Sequence, residues 1–125
     1  MKATIADPRP RAESTEEGAR IHGWRCASCA HPATQSMLRC PLCRGAMTET
    51  EFATTGEVWA STCLRVRVPG HEPPFAVAYL VLDDQGPRVL VHTPGGEPLP
   101  PGSRARVTAV SPDGDLVATA VEEVA

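Results

Sequence analysis

Two Cys-x-x-Cys pairs separated by ten residues, a change to two-residue alternation after Met47, and glycine- and proline-rich breaks between the later apolar runs together predict a mainly β chain. The expected architecture is a rubredoxin-like zinc ribbon followed by a five-stranded OB-fold barrel. The expected boundaries are a flexible N-terminal tail over 1–20, the ribbon over 21–48 and the barrel over 49–125. A small β-sandwich carries the same alternation and stands as the alternative architecture.

Residues 1–20 hold two prolines, a Ser-Thr-Glu-Glu-Gly run and almost no large apolar side chain, too little buried surface to offset the entropy of ordering them. A helix opening at Ser14 with Glu17 as a capping box meets Gly18 and lacks an apolar stripe, so the segment reads as a tail. From Ile21 to Met47 the cysteine pairs sit among short apolar patches without helical period, as hairpins around a metal require.

In the ribbon, Cys26-Ala27-Ser28-Cys29 and Cys40-Pro41-Leu42-Cys43 each place two thiolates on one tight knuckle, within reach of a common ion at about 2.3 Å. Four soft, charged ligands favour zinc, with iron in a rubredoxin-like site as the alternative. Four ligands close the coordination sphere, so the role is structural. A glycine commonly follows each knuckle to accept positive φ; Ala30 and Arg44 occupy those positions here, and Gly45 comes one residue late. His31 reads as a solvated loop residue.

In the barrel, Val58, Ala60, Thr62, Leu64, Val66 and Val68 share one face of a first strand, opposite Trp59, Ser61, Cys63, Arg65 and Arg67. Pro69–Pro74 breaks that strand. Phe75–Leu82 and Arg88–Thr93 form a hairpin about Asp83-Asp84-Gln85-Gly86, and Pro94–Gly102 is a rigid loop. Ser103–Val110 and Asp115–Val121 complete the set around Ser111-Pro112-Asp113-Gly114.

Composition narrows the function. The chain has 125 residues, room for one modest core and no spacious catalytic cleft. Its net charge is -3: residues 1–50 carry seven basic and five acidic side chains (+2), residues 51–125 five and ten (-5). The larger half therefore repels nucleic acid. No apolar run is long enough to span a membrane, and the first residues lack a signal-peptide core, so a cytoplasmic setting is expected, where reduced thiols favour metal over disulfides.

No catalytic residue is nominated. Cys63, with His71 and His92 elsewhere in the chain, invites a Cys-His nucleophile, but it is mid-strand without a helix N-terminus or an acidic orienter and reads as a buried inert thiol. His22, His71 and His92 share no grouping spacing and read as surface or satisfied residues; Asp83, Asp84, Asp113 and Asp115 read as turn residues. Arg65 with Arg67 and Arg104 with Arg106 are i,i+2 pairs on single strand faces. They suit a solvated outer face or recognition of a phosphate-bearing ligand such as coenzyme A.

The knuckles, followed by Thr55-Gly56-Glu57-Val58, Pro74-Phe75-Ala76-Val77-Ala78 and Pro101-Gly102 before Val107, make residues 20–121 resemble the zinc-ribbon plus OB-fold family known as domain of unknown function thirty-five. The resemblance implies a non-catalytic accessory subunit that docks on a thiolase-like, ketosynthase-like or hydratase-like enzyme and helps hold an acyl-CoA or related thioester, the catalytic residues lying on the partner. Phe75 is the expected contact edge, with Arg65 and Arg67 as further cofactor-facing candidates. The chain departs from the family in lacking an amphipathic helix before the ribbon and a proline-aromatic ending. A nucleic-acid-binding ribbon/OB module and an iron electron carrier are the competing functions.

Overall fold

The computed structural model describes residues 9–121. They form nine strands: β1 Arg11–Thr15, β2 Gly18–Cys26, β3 Pro32–Ala33, β4 Met47–Phe52, β5 Thr55–Leu64, β6 Phe75–Leu82, β7 Arg88–Thr93, β8 Arg104–Val110 and β9 Leu116–Ala120. Among these residues no helix is long and apolar enough to cross a membrane.

The first four strands make an antiparallel sheet with β2 at its centre: β4 pairs along one edge, and β1 and then β3 along the other. The last five close into a barrel of order β5-β6-β7-β9-β8, antiparallel except for β7 with β9. That is the five-stranded Greek-key closure of an OB-fold, and it settles the choice against a sandwich.

The N-terminal tail is corrected from residue 11 onward. Arg11–Thr15 pairs with His22–Gly18 as a hairpin, and Ser14 locks it to the barrel, its hydroxyl accepting from the Val110 N–H at 2.8 Å. The segment gains order from backbone pairing and a small apolar contribution, Ala12 and Ala19 packing against the core, rather than from large side chains. Residues 1–8 of the expected tail lie outside the described residues, as do residues 122–125 of the expected barrel.

The boundary at residue 48 also shifts, because β4 continues to Phe52. Ile21 and Phe52 leave the ribbon sheet to join the barrel's buried cluster with Val58, Leu80, Leu82, Val91 and Val107. One core therefore serves both parts. Gly23 on β2 is required by this seam, since a Cβ there would collide with the Phe52 ring and the Ala33 carbonyl.

β6 and β7 lie where the apolar runs and the turn between them predict, with Ala76, Ala78, Leu80 and Leu82 buried on β6 and Val89, Val91 and Thr93 on β7. The first barrel strand differs. A bulge between Val58 and Ala60 resets the pleat, so Thr62 is exposed, and β5 ends at Leu64. Val66 and Val68 are consequently exposed, and Arg65 and Arg67 stand in a loop rather than on a strand face.

The β6–β7 end of the barrel is pinned by Asp83, whose carboxylate accepts from Arg104 Nη1 at 2.8 Å, from Arg104 Nη2 and from the Thr55 hydroxyl at 2.8 Å. Hydrogen bonds from Arg104 first, then from Thr55, with the Arg104 charge adding, hold its pKa down at about 2 against the opposing effect of burial. A carboxyl whose folded pKa lies below its unfolded value of 3.8 contributes stability present above about pH 4 and lost as the pH falls through about 2.

Two outcomes follow. Leu80, completely buried, should cost about 3 kcal/mol when truncated in Leu80→Ala, read from urea unfolding. Asp83→Asn should lower the thermal midpoint at pH 7 and make no difference below about pH 2, so that its acid-unfolding profile is flatter than that of the wild type.

Candidate metal centre

The knuckles fold as their sequence requires. In the first, Ala30 N–H bonds the Cys26 carbonyl at 3.0 Å; in the second, Arg44 N–H bonds the Cys40 carbonyl at 2.9 Å. Both turns end in the left-handed region, Ala30 at φ 65° and Arg44 at φ 66°, the positions where glycine was missing. A non-glycine residue pays for that conformation only when its surroundings hold it, and here the knuckle bonds do so. Gly45 is needed beside them because a Cβ would press on the Cys26 sulfur and the Ser28 side chain.

The turns aim backbone N–H groups at sulfur. Ser28 and Cys29 donate to Cys26 Sγ, Leu42 to Cys40 Sγ and Gly45 to Cys43 Sγ, each at 3.4 Å. Cys26 and Cys43 sulfurs stand 3.4 Å apart, Cys29 and Cys40 sulfurs 3.6 Å, and all four lie within 4.8 Å of one another. A tetrahedron with zinc–sulfur bonds of about 2.3 Å has sulfur–sulfur edges of about 3.8 Å, so the set fits a single ion. Cys26 and Cys40 are buried, while Cys29 and Cys43 reach the surface.

Charge points the same way. The Cys29 N–H first, then those of Ser28 and the Cys43 side chain, draw the Cys26 thiol down to about 6 despite burial. Cys29 goes the other way, to about 12: the His31 N–H lowers it but is outweighed by Cys43, burial, Cys40 and Cys26. Cys40 is pushed up by burial and brought below its ordinary value by the Cys43 and Leu42 N–H groups. Four sulfurs this close cannot all ionise beside one another unless a cation shares them.

Arg25, which carried no sequence signal, ties this centre to the barrel. Its guanidinium donates to the Ala30 carbonyl at 2.8 Å and to the Gln85 and Asp84 carbonyls at 3.1 Å, while lying over the Phe52 ring. His31 does not join the sulfur cluster.

The other sequence candidates disperse. Arg67 lines a cleft of about 720 Å³ with Val68–Pro73, Arg65 is exposed beside the end of β5, and Phe75 is half-buried, stacked on His71 with ring centroids 5.0 Å apart. Cys63 is only partly buried. Arg104 is committed to Asp83 and Arg106 is exposed.

Two groups were missed. On the outer barrel face, Arg88 lies 4.4 Å from the Trp59 ring centroid and 5.4 Å from that of Tyr79, with Leu90 and Val81 exposed alongside. Beyond it His71 and His92 stack at 4.5 Å and 9° facing Asp115. Burial first and the His71 charge second lower the His92 pKa, against the pull of Asp115.

No family model and no curated protein matches the chain. Among solved structures it is similar in fold to a chain described as "Ltp2-ChsH2(DUF35) aldolase", with a TM-score of 0.63 and 24% identity over 79% of this chain and 83% of that one. The ribbon-plus-barrel architecture expected from the sequence is thus both observed here and shared with a solved DUF35 chain.

Chain purified under reducing conditions should carry about one equivalent of metal by elemental analysis, and Cys40→Ser less than about half. Chelation should speed amide exchange in β2 and β4 at least about tenfold while β6 and β7 stay protected, a split that hydrogen-exchange mass spectrometry resolves.

Proposed function

We propose that the chain is a non-catalytic accessory subunit that docks on a thiolase-like, ketosynthase-like or hydratase-like enzyme and helps it hold an acyl thioester. The observation that carries this reading is the outer barrel face. Trp59, Tyr79 and Leu90 are 58%, 44% and 45% exposed there, gathered around Arg88 on a chain with only five aromatic residues. Exposed Trp, Tyr and Arg in one patch are the residue types that dominate protein–protein interfaces.

The cysteine centre supports the same reading from the other side. Zinc on four thiolates has no open position for substrate, so the ribbon serves as a rigid mount rather than a reaction centre. Cys26, Cys29, Cys40 and Cys43 would hold the zinc, which when bound would supply a cross-link between the two knuckles. A reducing, cytoplasmic setting keeps those thiols available as ligands. The solved chain of similar fold is described as part of an Ltp2-ChsH2 aldolase, which adds an aldolase to the enzyme types a partner search should include. Arg67, on its cleft, and Arg65 beside it are the side chains offered to a coenzyme phosphate.

A second reading draws on the same patch, because aromatic rings beside an arginine on an OB barrel can stack single-stranded bases. The net charge of -5 over residues 51–125 opposes it.

Coexpression with thiolase-like, ketosynthase-like, hydratase-like and aldolase enzymes, followed by native mass spectrometry, should yield a hetero-oligomer. Trp59→Ala with Tyr79→Ala should weaken it at least about tenfold. Turnover of acyl-CoA by the isolated chain, or a monomer in every pairing, sinks the proposal, and salt-sensitive retention on a single-stranded oligonucleotide favours the second reading.

A further inference from the structure

His71, His92 and Asp115 come from three separate segments: the loop before β6, the outer face of β7, and the residue just ahead of β9. His71 Nε2 is 3.2 Å from Asp115 Oδ2, and His92 Nε2 is 3.8 Å from Asp115 Oδ1. The three donor atoms lie within 4.8 Å of one another. The side chains are 23%, 19% and 16% exposed, sheltered yet open to a cleft of about 360 Å³ that Gly70, Thr93, Ser111 and Asp113 also line.

The bland reading is a histidine hydrogen-bonded to an aspartate. It needs only one imidazole. Here two nearly parallel rings, 4.5 Å apart, direct the same nitrogen, Nε2, at one carboxylate. Neutral imidazoles each present an in-plane Nε2 lone pair on the side that faces the carboxylate, which is where a shared ion would sit. Phe75, stacked on His71, fixes the ring planes, and Arg9 Nη1 holds Asp115 Oδ1 at 3.2 Å, leaving Oδ2 on the His71 side. Ligating carboxylates are commonly held in this way through their second oxygen.

We propose that His71 Nε2, His92 Nε2 and Asp115 Oδ2 form a second metal site, separate from the cysteine centre and selective for a borderline divalent ion such as Zn²⁺, Co²⁺ or Ni²⁺. Unlike the four-thiolate centre, this site supplies three protein ligands and leaves at least one position facing the cleft, where water or an oxygen donor of a bound molecule can coordinate. Two imidazoles and one carboxylate suit nitrogen- and oxygen-seeking ions over calcium or magnesium, which take oxygen ligands.

The test uses the full chain with its cysteine centre already loaded with zinc. Co²⁺ is titrated in and followed by isothermal calorimetry, by the d–d spectrum and by ¹⁵N imidazole resonances. A second equivalent should bind without the intense sulfur charge-transfer bands of a thiolate site, moving His71 and His92 resonances and leaving His31 in place. His71→Ala and His92→Ala should each weaken it at least about tenfold, and His31→Ala should have no effect. Retained zinc and an intact amide spectrum certify that the variants fold; if one does not, the wild-type resonances decide alone. Absence of a second equivalent at millimolar Co²⁺ overturns the proposal. So does binding that survives both alanine substitutions or shifts only other histidines.

Discussion

Four sulfurs crowded within 4.8 Å of one another are the constraint on which the front of the molecule rests. Each knuckle is a turn with its own backbone bonds, and the sulfur pairs Cys26–Cys43 and Cys29–Cys40 are where the two knuckles meet. Of the buried apolar residues in the first sheet and its loops, Cys26 and Cys40 belong to the sulfur cluster, Ile21 and Phe52 face the barrel, and only the small Ala33 is left over. An ion linking the sulfurs would join the two knuckles directly, where large buried apolar side chains are few. The hairpins are tied to the barrel as well by the Ile21–Phe52 seam, by Arg25 and by Ser14, whose hydroxyl accepts from the Val110 N–H.

The seam explains why the two parts are not separate beads. Ile21 and Phe52 bury their side chains among barrel residues, and Gly23 lets the Phe52 ring lie against the backbone of β2. Arg25 then spans from the first knuckle, at the Ala30 carbonyl, to the β6–β7 turn at Asp84 and Gln85. Because both turn residues have positive φ, their carbonyls are presented outward, where a single guanidinium can take them together. The rigid centre is in this way coupled directly to the barrel hairpin whose outer face carries the exposed aromatic patch.

What was legible in the sequence was what is local. The Cys-x-x-Cys spacing fixes two sulfurs per turn, and the bounds of β6 and β7 follow from apolar runs that end at Pro74, at Asp83–Gly86 and at Pro94. The β1 hairpin was not legible, since its order depends on Ser14 meeting Val110, ninety-six positions away. The first barrel strand misled because a bulge inserts a residue that alternation cannot register, which turned Thr62 outward and left Val66 and Val68 unpaired with any core. His71, His92 and Asp115 show no spacing at all. Their meeting is topological: in the OB order β9 lies beside β7, and His92 pairs in register with Val117, two residues from Asp115. The fold prediction therefore contained the signal for two of the three, had strand order been carried through to side chains.

Strand alternation places the two missed groups on one surface. Along β6 the outward positions are Phe75, Val77, Tyr79 and Val81, and along β7 they are Arg88, Leu90 and His92. Cross-strand pairs run Val81 with Arg88, Tyr79 with Leu90 and Val77 with His92. The aromatic patch therefore grades into the histidine cluster along a single hairpin face, without a turn or edge between them. A protein seated on Trp59, Tyr79 and Leu90 would also cover part of the approach to His92 and exclude water from it. Electrostatic interactions strengthen as water leaves, so the imidazoles and carboxylate would act on whatever ion or oxygen donor they hold more strongly in an assembly than in the isolated chain. Burial of the patch and the chemistry of the cluster thus meet on the β6–β7 hairpin, whose turn Arg25 ties to the first cysteine knuckle.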